Sequence, residues 1–60
     1  MKKVYDSEGK SIGCPSKIEE ENGDVVLTFQ GDMPGMAERK SIYVGCSIVY
    51  EDSESVHINY

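Results

Sequence analysis

Cys14, Cys46 and His57 are the residues of this chain with the chemistry of nucleophiles and soft-metal ligands. Their spacing argues against both uses. His57 is the single histidine, and it alternates out of phase with Val56 and Ile58 in a segment of strand character. Its ring should therefore point away from the face those two residues bury. A cysteine–histidine pair works only when thiol and imidazole lie within hydrogen-bond reach and a third group orients the base. Cys46 takes the opposite, apolar parity, so no such pair is expected and the chain reads as a non-enzyme. Two separated cysteines and one histidine supply no zinc-ligand cluster, and no cofactor is expected. Both cysteines fall on core-facing parity without a Cys-x-x-Cys spacing, which predicts buried, reduced thiols. A Cys14–Cys46 disulfide stays open as a staple if their strands are neighbours, a matter of geometry that spacing does not fix.

The carboxylates are the second group with chemical potential. Eleven acidic residues face six basic ones, for a net charge of −5. Glu19, Glu20, Glu21 and Asp24 gather at one expected hairpin tip, and Glu51, Asp52 and Glu54 at another. Calcium would find oxygen ligands there but no recognisable binding-loop pattern. As function, the two tips are a negative surface that docks a basic patch on a larger protein and steers the encounter. As structure alone, they are solvated turns that keep sheet ends from stacking on neighbours. The clustered Lys and Arg that a phosphate backbone requires are missing, so direct nucleic-acid binding is not expected.

These groups must be positioned by strands. Apolar residues recur at period two almost throughout, and no stretch carries the spacing of an amphipathic helix. The fold class is therefore all-β, one domain over residues 1–60. Five antiparallel strands in meander order would form a curled sheet or a small barrel of SH3 or OB type. Asn22-Gly23 predicts a type I′ hairpin that sets Glu21 opposite Asp24, Ile18 opposite Leu27 and Ser16 opposite Phe29. Ser7-Glu8-Gly9 predicts a three-residue loop with Gly9 left-handed, so that Val4 and Ile12 share a face. Pro15 should break or bulge the second strand, or place it at a sheet edge, with its Cys14 side paired to the first strand and its Ile18 side to the third. Residues 42–50 read as one long strand with Ile42, Val44, Cys46, Ile48 and Tyr50 facing the core. An odd-numbered loop would then set Tyr50 opposite Val56 and Ile48 opposite Ile58. Residues 31–40 read as a loop, in which 36–40 could form one helical turn, suited to a binding surface or to plugging a barrel end with Met33 or Met36.

Sixty residues lie near the size at which a lone core barely offsets chain entropy. Tyr5, Val26, Tyr43 and Val49 take outward parity, and together they would make a subunit contact that completes the fold as a homodimer. No apolar run approaches the roughly 20 residues of a membrane span. The start lacks the apolar stretch of a signal peptide, so the expected location is cytoplasmic. The leading functional expectation is a small acidic inhibitor or regulator that occludes the surface of a larger protein, as a phage or mobile element would direct against a host enzyme. The alternatives are a sequestering protein that holds a small anionic or nucleotide-like ligand between subunits at Arg39, Lys40 and Tyr43, aided by Tyr50 and Tyr60, and a structural subunit of a larger assembly.

Overall fold

The computed structural model describes residues 2–31, 35 and 37–60. Among them the chain forms seven strands and no helix: β1 (Lys3–Tyr5), β2 (Ser11–Gly13), β3 (Lys17–Glu21), β4 (Asp24–Phe29), β5 (Arg39–Tyr43), β6 (Ile48–Glu51) and β7 (Ser55–Ile58). They make two sheets, ordered β2-β1-β7-β6 and β3-β4-β5. All-β architecture is as expected, but neither a closed barrel nor an all-antiparallel meander results. The reason is non-local: β1 pairs parallel with β7 through Lys3↔Ser55, Val4↔Val56 and Tyr5↔His57. Hairpin signals report only neighbours in sequence, so nothing local announces that the first and last strands lie side by side.

Two turns and one strand break follow their residues. Asn22 and Gly23 take φ of 51° and 82°, the pair of positive values a type I′ turn needs, and Glu21↔Asp24 and Ile18↔Leu27 pair as expected. The ladder stops at Lys17↔Thr28, where the Ser16 amide donates to the Thr28 carbonyl at 2.7 Å, so Ser16 does not reach Phe29. Gly9 is left-handed at φ 81°, and Asp6 and Lys10 close the three-residue loop through a 2.9 Å amide–carbonyl bond. The strand breaks at Pro15, with β2 paired to β1 and β3 paired to β4.

The stretch 42–50 departs most from expectation. The Asn-Gly hairpin turns Val25 and Leu27 inward, and β5 pairs with β4 through Val25↔Tyr43 and Val26↔Ile42. Opposed residues share a face, so Tyr43 packs on the core while Ile42 and Val44 stand 63% and 74% exposed. Gly45, at φ 66°, then turns the chain out of this sheet, and Cys46 and Ile48 point inward as β6 enters the other. What alternation presents as one strand is two, joined by a glycine that inverts the parity. A second correction follows at Val49, where a bulge leaves Ile48 opposite Ile58 but moves Tyr50 opposite His57 instead of Val56. Arg39 and Lys40 are extended in β5 rather than helical. Met33 and Met36 lie outside the described residues.

The inner faces of the two sheets meet in one cluster of Val4, Val25, Leu27, Cys46, Val56 and Ile58, each at most 3% exposed. Ile12, Ile18, Phe29, Tyr43 and Ile48 pack around it. Gly13 lets β2 approach Phe29. Its φ is 132°, and a Cβ there would sit 3.2 Å from Phe29 Cε1. Gly13→Ala is therefore expected to cost about 1–3 kcal/mol through backbone strain and crowding. Urea unfolding should show a lower midpoint at unchanged m, with Ser11→Ala, an exposed neighbour in β2, within about 0.5 kcal/mol of the parent. Equal midpoints for the two variants would mean that β2 does not press on Phe29.

Candidate functional site

The outer face of the four-stranded sheet carries a row of rings. Val4 and Val56 point into the core, so their neighbours Tyr5 and His57 emerge on the opposite side, and the parallel register sets them abreast. Tyr5 stacks on His57 at a centroid separation of 5.0 Å and an interplanar angle of 20°. The Val49 bulge brings Tyr50 against the other side of the imidazole, edge-on at 5.5 Å and 68°. Three neighbouring strands thus contribute one ring each, and Tyr50 is 57% exposed. Beside the row lies an open cavity of about 490 Å³ lined by Lys3, Tyr5, Asp52, Glu54, Ser55 and His57.

The acidic turn of this face is ordered by Asp52. Its Oδ1 accepts from the Glu54 amide at 2.9 Å, the Ser55 amide at 2.7 Å and the Ser55 hydroxyl at 2.9 Å. The Glu54 amide, followed by the two Ser55 donors and a weaker contribution from Tyr50, holds the Asp52 carboxyl below its ordinary range. Glu51 pairs with Lys2. Glu54 has no hydrogen bond or ion pair to its carboxylate among the described residues.

The first acidic tip is used differently. Asp24 Oδ1 accepts from the Gly45 amide at 2.9 Å and Glu20 Oε2 from the Ile48 amide at 3.0 Å. Glu19 stands 3.8 Å from Lys17, and Glu21 is exposed. The two tips meet opposite ends of β6: Glu20 holds its start, and Glu51, Asp52 and Glu54 lie at its end.

The four residues expected at a subunit contact are dispersed. Tyr5 belongs to the ring row, Val26 to the outer face of the three-stranded sheet, and Val49 to the bulge. Tyr43 faces inward, edge-on to Tyr60 at 4.7 Å and 81°. Nor do Arg39, Lys40 and Tyr43 form one site. Arg39 lies over the Phe29 ring at 4.8 Å, Lys40 emerges on the opposite face, and Tyr43 is about 13 Å farther along the strand. His57 is the member of the ring row that the sequence assigned to no site, and Tyr50, expected to aid the Arg39, Lys40 and Tyr43 set, stands beside it instead. The outward parity of His57 was a usable signal, but the bulge that turns Tyr50 beside it leaves no local mark.

Cys14 and Cys46 are both free, and among the described residues no three His, Cys, Asp or Glu side chains gather as metal ligands. Cys46 is buried as expected, but Cys14 is exposed: β2 ends at Gly13, and Pro15 takes the buried place in the link. Burial pushes the Cys46 thiol up, helped by the Glu20 carboxylate and partly offset by the backbone amides of Asn59 and Ser47. Among the described residues no helix is long and apolar enough to cross a membrane. No family model matches the sequence, and neither a curated protein nor a solved structure is significantly similar to it.

Two measurements check this chemistry. Ellman's reagent should titrate one thiol per native chain, Cys14, and both in denaturant. Two fast thiols in the native protein would place Cys46 outside the core. Because the folded state prefers ionised Asp52, the contribution of its turn is complete above the carboxyl's unfolded pKa and is lost as pH falls through the depressed folded one. Urea midpoints should therefore fall from about pH 4 downward. Asp52→Asn, which keeps an acceptor oxygen, should be less stable at pH 7 and show a flatter acid limb. An acid limb identical to the parent's would remove Asp52 as a source of it.

Proposed function

We propose that this chain is a non-enzymatic binding protein that uses the outer face of its four-stranded sheet to occlude a basic segment of a larger protein. The row formed by Tyr5, His57 and Tyr50 beside the Glu51–Glu54 turn carries the proposal. Ring faces attract guanidinium and ammonium groups within about 6 Å, and carboxylates at the edge of the row add charge-assisted hydrogen bonds. Arginine and lysine side chains complement that combination. The net charge of −5 extends the attraction beyond contact distance and speeds encounter. An inhibitor or regulator that blocks a partner's surface fits this design, because the row is open rather than enclosed. The buried, protonated-favouring Cys46 and a histidine packed between two tyrosines offer no activated nucleophile.

Self-association has a separate basis. Ile42 and Val44 are exposed on the outer face that also bears Val26, so a second copy of the chain would pack on the three-stranded sheet, away from the ring row. The two surfaces could be used together, as in a dimeric inhibitor.

The occlusion reading is tested with a short peptide of alternating arginine and glycine, titrated calorimetrically and followed by amide shifts. Tyr50→Ala and His57→Ala should each weaken binding about three- to tenfold, the loss of one ring contact. The double variant Glu19→Gln/Glu21→Gln should lose less, and shifts should concentrate on β1, β6 and β7. Should the ring variants bind like the parent while the Glu19/Glu21 variant loses most of the affinity, net charge alone would explain the binding and the row would have no role.

A further inference from the structure

We propose that the outer face of the three-stranded sheet carries a second site, built for a small oxyanion of phosphate size around Thr28, Lys17 and Lys40. The register Lys17↔Thr28 and Thr28↔Lys40 places the three side chains in one row across β3, β4 and β5, because opposed residues share a face. With Ser16, Gln30 and Glu38 they line an open cavity of about 340 Å³.

Thr28 is the unusual member. It is 3% exposed, the one polar residue among the described residues that is fully buried, and its Oγ1 has no hydrogen-bond partner. A buried hydroxyl without a partner is costly, and valine has nearly the same shape and an equal preference for strands. The fold alone gives no use for the oxygen, whereas a ligand would. Oγ1 is covered in this structure, so the side chain must rotate or its neighbours part before the hydroxyl donates to an oxyanion, and two ammonium groups flank it in the row to balance the charge. At the rim, Gln30 Nε2 donates to Ser16 Oγ at 3.3 Å and to Glu38 Oε2 at 3.5 Å, and the Ser16 hydroxyl donates to the Thr28 carbonyl at 3.1 Å. The charged groups around the site are Lys17, Lys40, Glu38 and Glu19, the last 3.8 Å from Lys17. Glu38 opposes an anion, so its carboxylate limits affinity and must swing off Gln30 when the site fills. This site differs from the expected Arg39, Lys40 and Tyr43 set, sharing only Lys40, and it lies away from the ring row, on the outer face that also bears Val26 and Ile42, so a second copy packed there would compete with the anion.

The test is a titration of the full chain with inorganic phosphate in a low-salt, phosphate-free buffer, read by amide shifts and calorimetry. Saturable shifts at Ser16, Lys17, Thr28 and Lys40 are expected. Thr28→Val should weaken binding at least tenfold while its melting temperature stays level or rises, and Thr28→Ser should retain binding. Lys17→Gln/Lys40→Gln should abolish the saturable shifts, and Glu38→Gln should tighten binding several-fold. Tyr50→Ala should bind phosphate like the parent, which separates this site from the ring row. The proposal is overturned if Thr28→Val binds like the parent, if shifts are non-saturable and spread over all lysines, or if no shifts occur.

Discussion

The amides of Gly45, Cys46, Ser47 and Ile48 lie where the chain leaves one sheet and enters the other, and the two-sheet arrangement depends on how they are satisfied. No strand partner is available to them there. Asp24 Oδ1, the Gly23 carbonyl, Asn59 Oδ1 and Glu20 Oε2 take them in turn at 2.8–3.0 Å. An unpartnered amide beside a core would weigh heavily on a chain with only a handful of buried side chains. The Asn-Gly tip therefore has two tasks: it turns β3 into β4 and supplies three of these acceptors. Acidity at this tip is consequently part of the fold, and only Glu19 and Glu21 are left to face solvent or Lys17.

Fixing the crossing also fixes what faces outward on both sheets. Once Cys46 is held in the core, Ile48 follows it, and the Val49 bulge determines that Tyr50 meets His57. On the other side of the crossing, the pairing of β5 with β4 exposes Ile42 and directs Lys40 toward Thr28. Tyr50 thus joins the ring row through the segment that follows Gly45, while the Thr28 cavity is set by the β3-β4-β5 register that precedes it.

Local chemistry was legible in the sequence where a residue has one conformational use. Asn22-Gly23, Gly9 and Pro15 each marked the right event at the right place, since positive φ or a missing amide hydrogen permits few alternatives. Alternation misled in 42–50 because period two cannot register a glycine that inverts parity or a bulge that adds a residue. The outward phase of His57 was legible, but the rings on either side of it come from β1 and β6. Parallel pairing of β1 with β7 rests on contacts between the two ends of the sequence. Nothing local marks Thr28, because its isolation is a property of neighbours on β3 and β5. Likewise, the even spread of carboxylates over two tips concealed that Glu20, Asp24 and Asp52 are committed to amides while Glu54 is not.

Parallel β1 and β7 also determine how the molecule bears mechanical load. The start of β1 and the end of β7 lie at opposite ends of the same strand pair. Tension applied through the two chain ends would slide these strands lengthwise past each other, so that the bonds Lys3 and Tyr5 make to β7 share the force at once rather than opening in sequence. A hairpin pulled at its open end unzips bond by bond and yields at low force. Here the short ladder acts as a shear clamp that must fail before either sheet can be drawn apart, giving a small domain more resistance to stretching than its modest core would suggest.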